Sequence, residues 1–266
     1  MNNVKTVLVT GISSGIGASV KDYFIERGIK VVGIDISPTT KNHDLIDFIA
    51  DIRDYEKLVE IKKTLIEKNI NLDAIINIAG IHEMVSFIES DYNKFKKVID
   101  INLLGPMAVN RAFYSLLNKK GRIIIISSEV ASFDALPFNG LYSVSKVALE
   151  TYAQSLRQEL NLLGQKVISV LPGAIETPLS SGSINSTMAL ADNTKLFKNE
   201  STKFVTITKK FMGKPLKPIK LARLIYRITC KKKTKLTYKI HHNIGLVMLN
   251  LLPKRLQCFV IKKILK

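Results

Sequence analysis

Short apolar runs alternate along this chain with longer stretches in which apolar positions recur every three to four residues. Residues 4–10 form the first run, led by Val7, Leu8 and Val9, and a helical pattern follows to Gly28. A second strand is predicted over 30–34, a short third over 48–50, and a fourth over 73–78. A helix over 54–68 separates the last two, with Asp54 as its N-cap. Residues 91–118 read as one long helix, kinked where Gly105 and Pro106 interrupt it. The run of four isoleucines, Ile123 to Ile126, marks the clearest strand, over 121–126. A helix over 142–163 ends near Gly164; residues 165–171 are a sixth strand, 218–229 a helix and 235–240 a seventh strand. Strands that alternate with helices imply a doubly wound parallel sheet with helices on both faces and right-handed crossovers. Residues 179–214, rich in Ser, Thr and Asn with little periodicity, are expected to form a mobile lid with short helices.

Composition adds a constraint on partners. The hydrophobic fraction of 46% supports a substantial core within 266 residues. The two cysteines, Cys230 and Cys258, have neither zinc spacing nor a disulfide framework, and the scattered histidines propose no metal site. The N-terminal residues lack the pattern of a signal peptide, and no apolar run reaches the length of a membrane span, so a cytoplasmic protein is expected. Charge is distributed unevenly. From Lys203 to Lys266 there are 18 Lys and Arg and no Asp or Glu, so the whole net charge of +18 sits there. Such asymmetry points to an anionic surface as partner. Leu252, Leu256, Phe259, Val260 and Ile264 recur at helical spacing, with Arg255, Lys262 and Lys266 on another side. A basic amphipathic helix over 241–266 either lies on an anionic membrane, packs over a pocket, or makes a dimer contact. No aromatic stacking platform accompanies the lysines, which argues against nucleic acid.

Three stretches carry candidate chemistry. Gly11, Gly15 and Gly17 stand between the first strand and the first helix, with Ser13, Ser14 and Ile16 among them. Glycines there permit a tight turn and close approach of a phosphate to backbone N–H groups at a helix N-terminus. Asp35 ends the second strand, 18 residues after Gly17. A carboxylate in that place accepts hydrogen bonds from ribose hydroxyls and repels a 2′-phosphate, which favours NAD over NADP. Ser127 and Ser128 close the fifth strand, where ligands bind in open parallel sheets. Phe133, Pro137 and Phe138 add apolar surface before Tyr142. Tyr142 and Lys146, one helical turn apart, share a face, and an ammonium near a phenol favours the phenolate.

These residues, in this order and spacing, resemble the short-chain dehydrogenase/reductase family over roughly residues 4–240. The marks are Thr10-Gly11-x-x-x-Gly15-x-Gly17, Asn77-x-Ala79-Gly80, Asn102, Ser127-Ser128, Tyr142-x-x-x-Lys146 and Pro172-Gly173 with Thr177. The resemblance implies a Rossmann-type fold of about seven parallel strands over 1–240, with 179–214 as substrate lid and 241–266 as a basic helical extension. It implies Tyr142 as acid/base, Lys146 lowering its pKa and holding the nicotinamide ribose, Ser128 bonding the substrate oxygen, and Asn102 ordering a water. Cofactor contacts would come from Gly11 to Gly17, Asp35, Asp51 with Ile52, Asn77 to Gly80, Pro172, Gly173, Ile175 and Thr177. Substrate contacts would come from Ser128, Glu129, Phe138 and Tyr142. Two departures stand out: Ile78 replaces a usual second Asn, and Ser128 precedes Tyr142 by one residue more than the commonest spacing. The basic C-terminal stretch is similar to tails of members acting on retinoids, steroids and other lipids. The expected activity is NAD(H)-dependent interconversion of an alcohol and its carbonyl on an apolar substrate, in a homodimer or homotetramer. The alternatives are a small polar hydroxy or keto substrate, or a non-catalytic dinucleotide sensor.

Overall fold

Seven apolar runs become the seven strands of one parallel sheet in the computed structural model, which describes residues 4–211 and 213–266. Side chains 180, 181, 183, 184 and 209–211, and Met212 within the expected lid, lie outside the described residues. The strands are β1 (Thr6–Thr10), β2 (Lys30–Asp35), β3 (Leu45–Ile49), β4 (Leu72–Asn77), β5 (Leu117–Ile126), β6 (Lys166–Pro172) and β7 (Thr237–Ile240). Their order is β3-β2-β1-β4-β5-β6-β7. The buried middles of the central strands, Val7–Val9, Ala74–Ile76 and Ile123–Ile126, are apolar because both sheet faces are covered. On one face, α2 (Tyr55–Glu67), α4 (Gly105–Phe113) and α5 (Gly140–Leu162) pack Leu58, Phe113 and Leu149 against Leu8, Ile75 and Ile123. On the other, α1 (Gly15–Ile25) and α8 (Pro218–Cys230) pack Phe24 and Ile225 against Val9, Ile76 and Ile124. This is the Rossmann-type arrangement, with its topological switch between β1 and β4.

Several boundaries follow the sequence. Asp54 caps α2 by accepting from the Lys57 N–H at 2.9 Å. The segment over 91–118 does not form one kinked helix. It comprises α3 (Tyr92–Ile99), a π-helical turn over Asp100–Leu104, and α4, and it ends in a 3₁₀ turn at Leu116. β5 already begins at Leu117, although it is exposed over Asn118 to Lys120, so its start carries no apolar signal. Residues 179–214 also differ from expectation. They build two long helices, α6 (Pro178–Asn193) and α7 (Lys198–Phe211). Glu89 holds the turn between them by accepting from the Lys195 and Leu196 N–H groups at 2.9 and 3.1 Å and from the Thr194 hydroxyl.

The C-terminal stretch forms α9 (Ile244–Asn250) and α10 (Lys254–Leu265). It is fastened to the sheet end rather than trailing from it. The Asn243 N–H donates to Glu129 at 2.6 Å, the Asp134 N–H donates to the Asn250 side chain at 2.7 Å, and Gln257 donates to Asp134 at 3.2 Å. Among the described residues no helix is long and apolar enough to cross a membrane.

Candidate active site

The loops at the C-terminal ends of the strands surround a cavity of about 900 Å³ that runs from the β1–β2 end to α9 and α10. At one end lies the glycine turn. Gly11 and Gly15 have φ of +79° and +54°, a region that side-chain-bearing residues rarely adopt. A Cβ on Gly17 would overlap the Gly11 carbonyl oxygen, so α1 approaches the turn as closely as glycine allows. The turn exposes the α1 N-terminus to the cavity, and Ser13, Ser14 and Ile16 line it. This cradle fits a dinucleotide pyrophosphate, because a helix N-terminus presents unpaired N–H groups to an anion.

Asp35 lies beside the turn, its carboxylate accepting from the Ser13 N–H at 2.9 Å and the Ser37 N–H at 3.0 Å. Asp51 and Ile52 form the next wall. The Arg53 guanidinium grips the Asp51 carboxylate at 2.6–3.1 Å and holds its pKa below the usual carboxylate range. Ala79 and Gly80 line the cavity, and Thr10 fixes their loop by accepting from the Ile78 and Ala79 N–H groups at 3.1 and 3.2 Å. Asn77 does not line it. It turns under the sheet, donating to Asn110 at 2.8 Å, because successive residues of a strand face opposite ways. Pro172 at the end of β6, with Gly173, Ile175 and Thr177 after it, forms the floor.

Tyr142 and Lys146 emerge from the first turns of α5, both buried, with the Lys146 ammonium 5.7 Å from the Tyr142 ring centre. Ser128 lines the cavity beside Tyr142, its hydroxyl accepting from the Val130 N–H at 3.4 Å. Ser127 points the other way, its hydroxyl donating to the Lys146 carbonyl at 3.4 Å. Burial pushes the Tyr142 phenol up to about 12; the nearby Ser128 hydroxyl offsets part of that rise and the Glu129 charge adds to it. Burial also pulls Lys146 down to about 8. In this cavity desolvation therefore outweighs the lowering of the phenol pKa expected from the ammonium.

Asn102 sits in the π-helical turn, behind the cavity wall rather than on it. Its Oδ1 accepts from the Ile81 N–H at 2.8 Å, and its Nδ2 donates to the Ile81 carbonyl at 2.8 Å and to Ser145 at 3.1 Å. The extra residue of the turn brings this side chain inward, where it ties the loop after β4 to the start of α5.

The far end of the cavity is apolar. Glu129 lines it, its pKa raised by burial, with its carboxylate bonded to α9. Phe138 is not on the wall: it packs edge-on against Phe197 and Phe204 and supports α7 from behind. Sequence reasoning missed His82, whose ring centre lies 4.2 Å from that of Tyr142 and whose Nε2 lies 2.7 Å from Asn139. Burial lowers its pKa, so it presents a neutral ring. A lone histidine two residues beyond the Asn77-x-Ala79-Gly80 mark gives no signal of its own. The walls contributed by α7 (Phe204, Ile207) and by α9 and α10 (Leu246, Leu249, Val260, Ile261) were also unassigned.

The family model described as short chain dehydrogenase matches residues 5–187. An uncharacterized oxidoreductase of Staphylococcus saprophyticus is 32% identical over 188 residues, covering 66% of this chain and 80% of that protein. A short chain dehydrogenase family protein from Francisella tularensis superposes with a TM-score of 0.73 at 24% identity, covering 89% of this chain and 96% of that one. A short chain dehydrogenase from Burkholderia cenocepacia in complex with NADP superposes with a TM-score of 0.74 at 20% identity, covering 99% and 98%. The chain belongs to the short-chain dehydrogenase/reductase family and is an oxidoreductase of that family.

Proposed function

We propose that this oxidoreductase interconverts an alcohol and its carbonyl on an apolar, lipid-like molecule, with NAD(H) favoured over NADP(H). The observation that carries the reading is the convergence of Tyr142, Ser128 and Lys146 at the junction between the glycine-turn half of the cavity and its apolar half. The dinucleotide supplies or accepts the hydride when bound. The Tyr142 hydroxyl delivers a proton to the substrate oxygen in reduction and removes it in oxidation. Ser128 donates a hydrogen bond to the same oxygen and keeps the phenol aimed at it. Lys146 holds a positive charge beside the ring, which stabilises the phenolate as it forms. His82 and the apolar walls exclude water from the transfer.

Asp35 supports the cofactor preference. Its carboxylate is fixed by two backbone N–H groups at the place where a 2′-phosphate would sit. The Burkholderia neighbour holds NADP, so the preference is a property to test on this chain directly. Nicotinamide absorbance should report oxidation of NADH, more than of NADPH, with a panel of steroid, retinoid and long-chain ketones or aldehydes. Tyr142→Phe should cut turnover by about 10²–10⁴-fold with cofactor binding retained. Unchanged turnover in Tyr142→Phe would remove that residue from the chemistry, and a preference for NADPH would overturn the role given to Asp35.

A further inference from the structure

The two C-terminal helices each carry a second apolar face that the cavity does not use. Ile244, Met248 and Leu251 follow one stripe of α9 and its end, at 78, 60 and 73% exposure. Phe259 of α10 is 59% exposed. Around them stand Lys254, Arg255, Lys262, Lys263 and Lys266, all exposed. Beside them, Asp134 is paired with Lys254 at 3.4 Å, and Glu129 accepts from the Asn243 N–H on the inner side. The helices are bonded to the body through Glu129 and Asp134, so this face is held in a fixed shape.

We propose that the outer face of α9 and α10 docks on a bilayer rich in anionic phospholipid. Apolar tips enter the acyl boundary while the surrounding ammonium and guanidinium groups meet phosphate headgroups, the division that interfacial helices use. Charge selects this occupant. A second copy meeting this face with its own α9 and α10 would bring like charge, since Lys203 to Lys266 contains no acid. Nucleic acid would satisfy the cations but leave Ile244, Met248 and Leu251 in water. The same two helices wall the apolar end of the cavity with their inner faces, so docking would bring that end next to the lipid phase; this last step rests on the substrate class proposed above.

The test is co-sedimentation of the full chain with vesicles, read without any turnover assay, so that it can fail while the oxidoreductase reading stands. Vesicles of equimolar phosphatidylglycerol and phosphatidylcholine should bind the protein. Pure phosphatidylcholine should bind it at least about tenfold more weakly, and added salt should weaken the anionic binding. The pair Met248→Glu and Phe259→Glu should weaken binding at least about tenfold with cofactor binding and melting temperature retained. If that pair fails to fold, Lys262→Glu with Lys263→Glu tests the cationic half by the same readout. Absence of binding to the anionic vesicles, undiminished binding by folded variants of both kinds, or tighter binding to duplex DNA than to vesicles would overturn the proposal.

Discussion

Burial moves Tyr142 and Lys146 in opposite directions, and the two shifts have separate consequences. A lysine with a folded pKa near 8 against an ordinary 10.5 carries its charge at a cost to the fold. Between those values the unfolded chain binds more protons, so this group makes stability rise with pH from about 8 to 10.5. Tyr142 acts at the top of that window and beyond it: with its pKa at about 12 instead of 10.0, the folded chain keeps its proton longer, and this group makes stability fall with pH from 10 to 12. Lys146→Met should therefore raise stability at neutral pH by on the order of 2–3 kcal/mol, read as a higher melting temperature, and flatten its rise above pH 8, while turnover is lost. A lowered melting temperature would show that the ammonium is held by more than its 3.4 Å contact with the Ile126 carbonyl. At this scale much was legible in sequence. Strand alternation separates Ser128 from Ser127, and the glycine turn needs no tertiary information. The same alternation turns Asn77 away from the cavity, although the motif it belongs to implies a cofactor contact. His82 was illegible because its role depends on the loop that Asn102 and Asn139 fold beneath it.

The π-helical turn at Asp100–Leu104 shows what periodicity conceals. An apolar pattern at helical spacing survives one extra residue per turn, so residues 91–118 read as continuous although the ladder changes register. The turn swings Asn102 inward to satisfy both the N–H and the carbonyl of Ile81 and to reach Ser145. Asn102→Ala would leave those two backbone groups without the side chain that pairs them. The expected loss is roughly 2–4 kcal/mol in urea unfolding, with cofactor affinity reduced because the loop lining the site is freed. A loss below about 0.5 kcal/mol would mean that Ile81 finds other partners. The helices α6 and α7, expected only as short pieces of a lid, are longer than the sequence suggests for a different reason. Serine, glycine and asparagine disfavour a helix intrinsically, and it is the contact of Leu190 and Phe204 with Met84 and Leu265 that stabilises these two. Tertiary burial of that kind leaves no periodic trace when the buried positions are few.

Across the whole molecule, the chain returns after β7 to the end of the sheet that holds the cavity and closes it there. The crossing is tight: a Cβ on Gly173 would overlap the His241 carbonyl oxygen, and the Gly173 N–H donates to the Ile240 carbonyl at 2.9 Å. Gly173→Ala should push the β7–α9 connection away from the sheet. Limited proteolysis would detect this as cleavage within 241–266 accelerated by about tenfold, with the sheet intact by circular dichroism. An unchanged cleavage rate would show that the connection absorbs a methyl group. That α9 and α10 contribute cavity wall was open in the sequence, because an apolar stripe reads the same against a pocket, a partner or a membrane.

The residues of the glycine turn, Ser128, Tyr142 and Lys146 all fall inside the span of 5–187 that the family model matches, whereas α7, α9 and α10 fall beyond it. On the function proposed above, one stretch of the gene encodes the proton relay and another adds much of the wall that would contain the reactant. A recombination joint placed after residue 187 would separate them, so inheritance can diversify what enters the container without touching the relay.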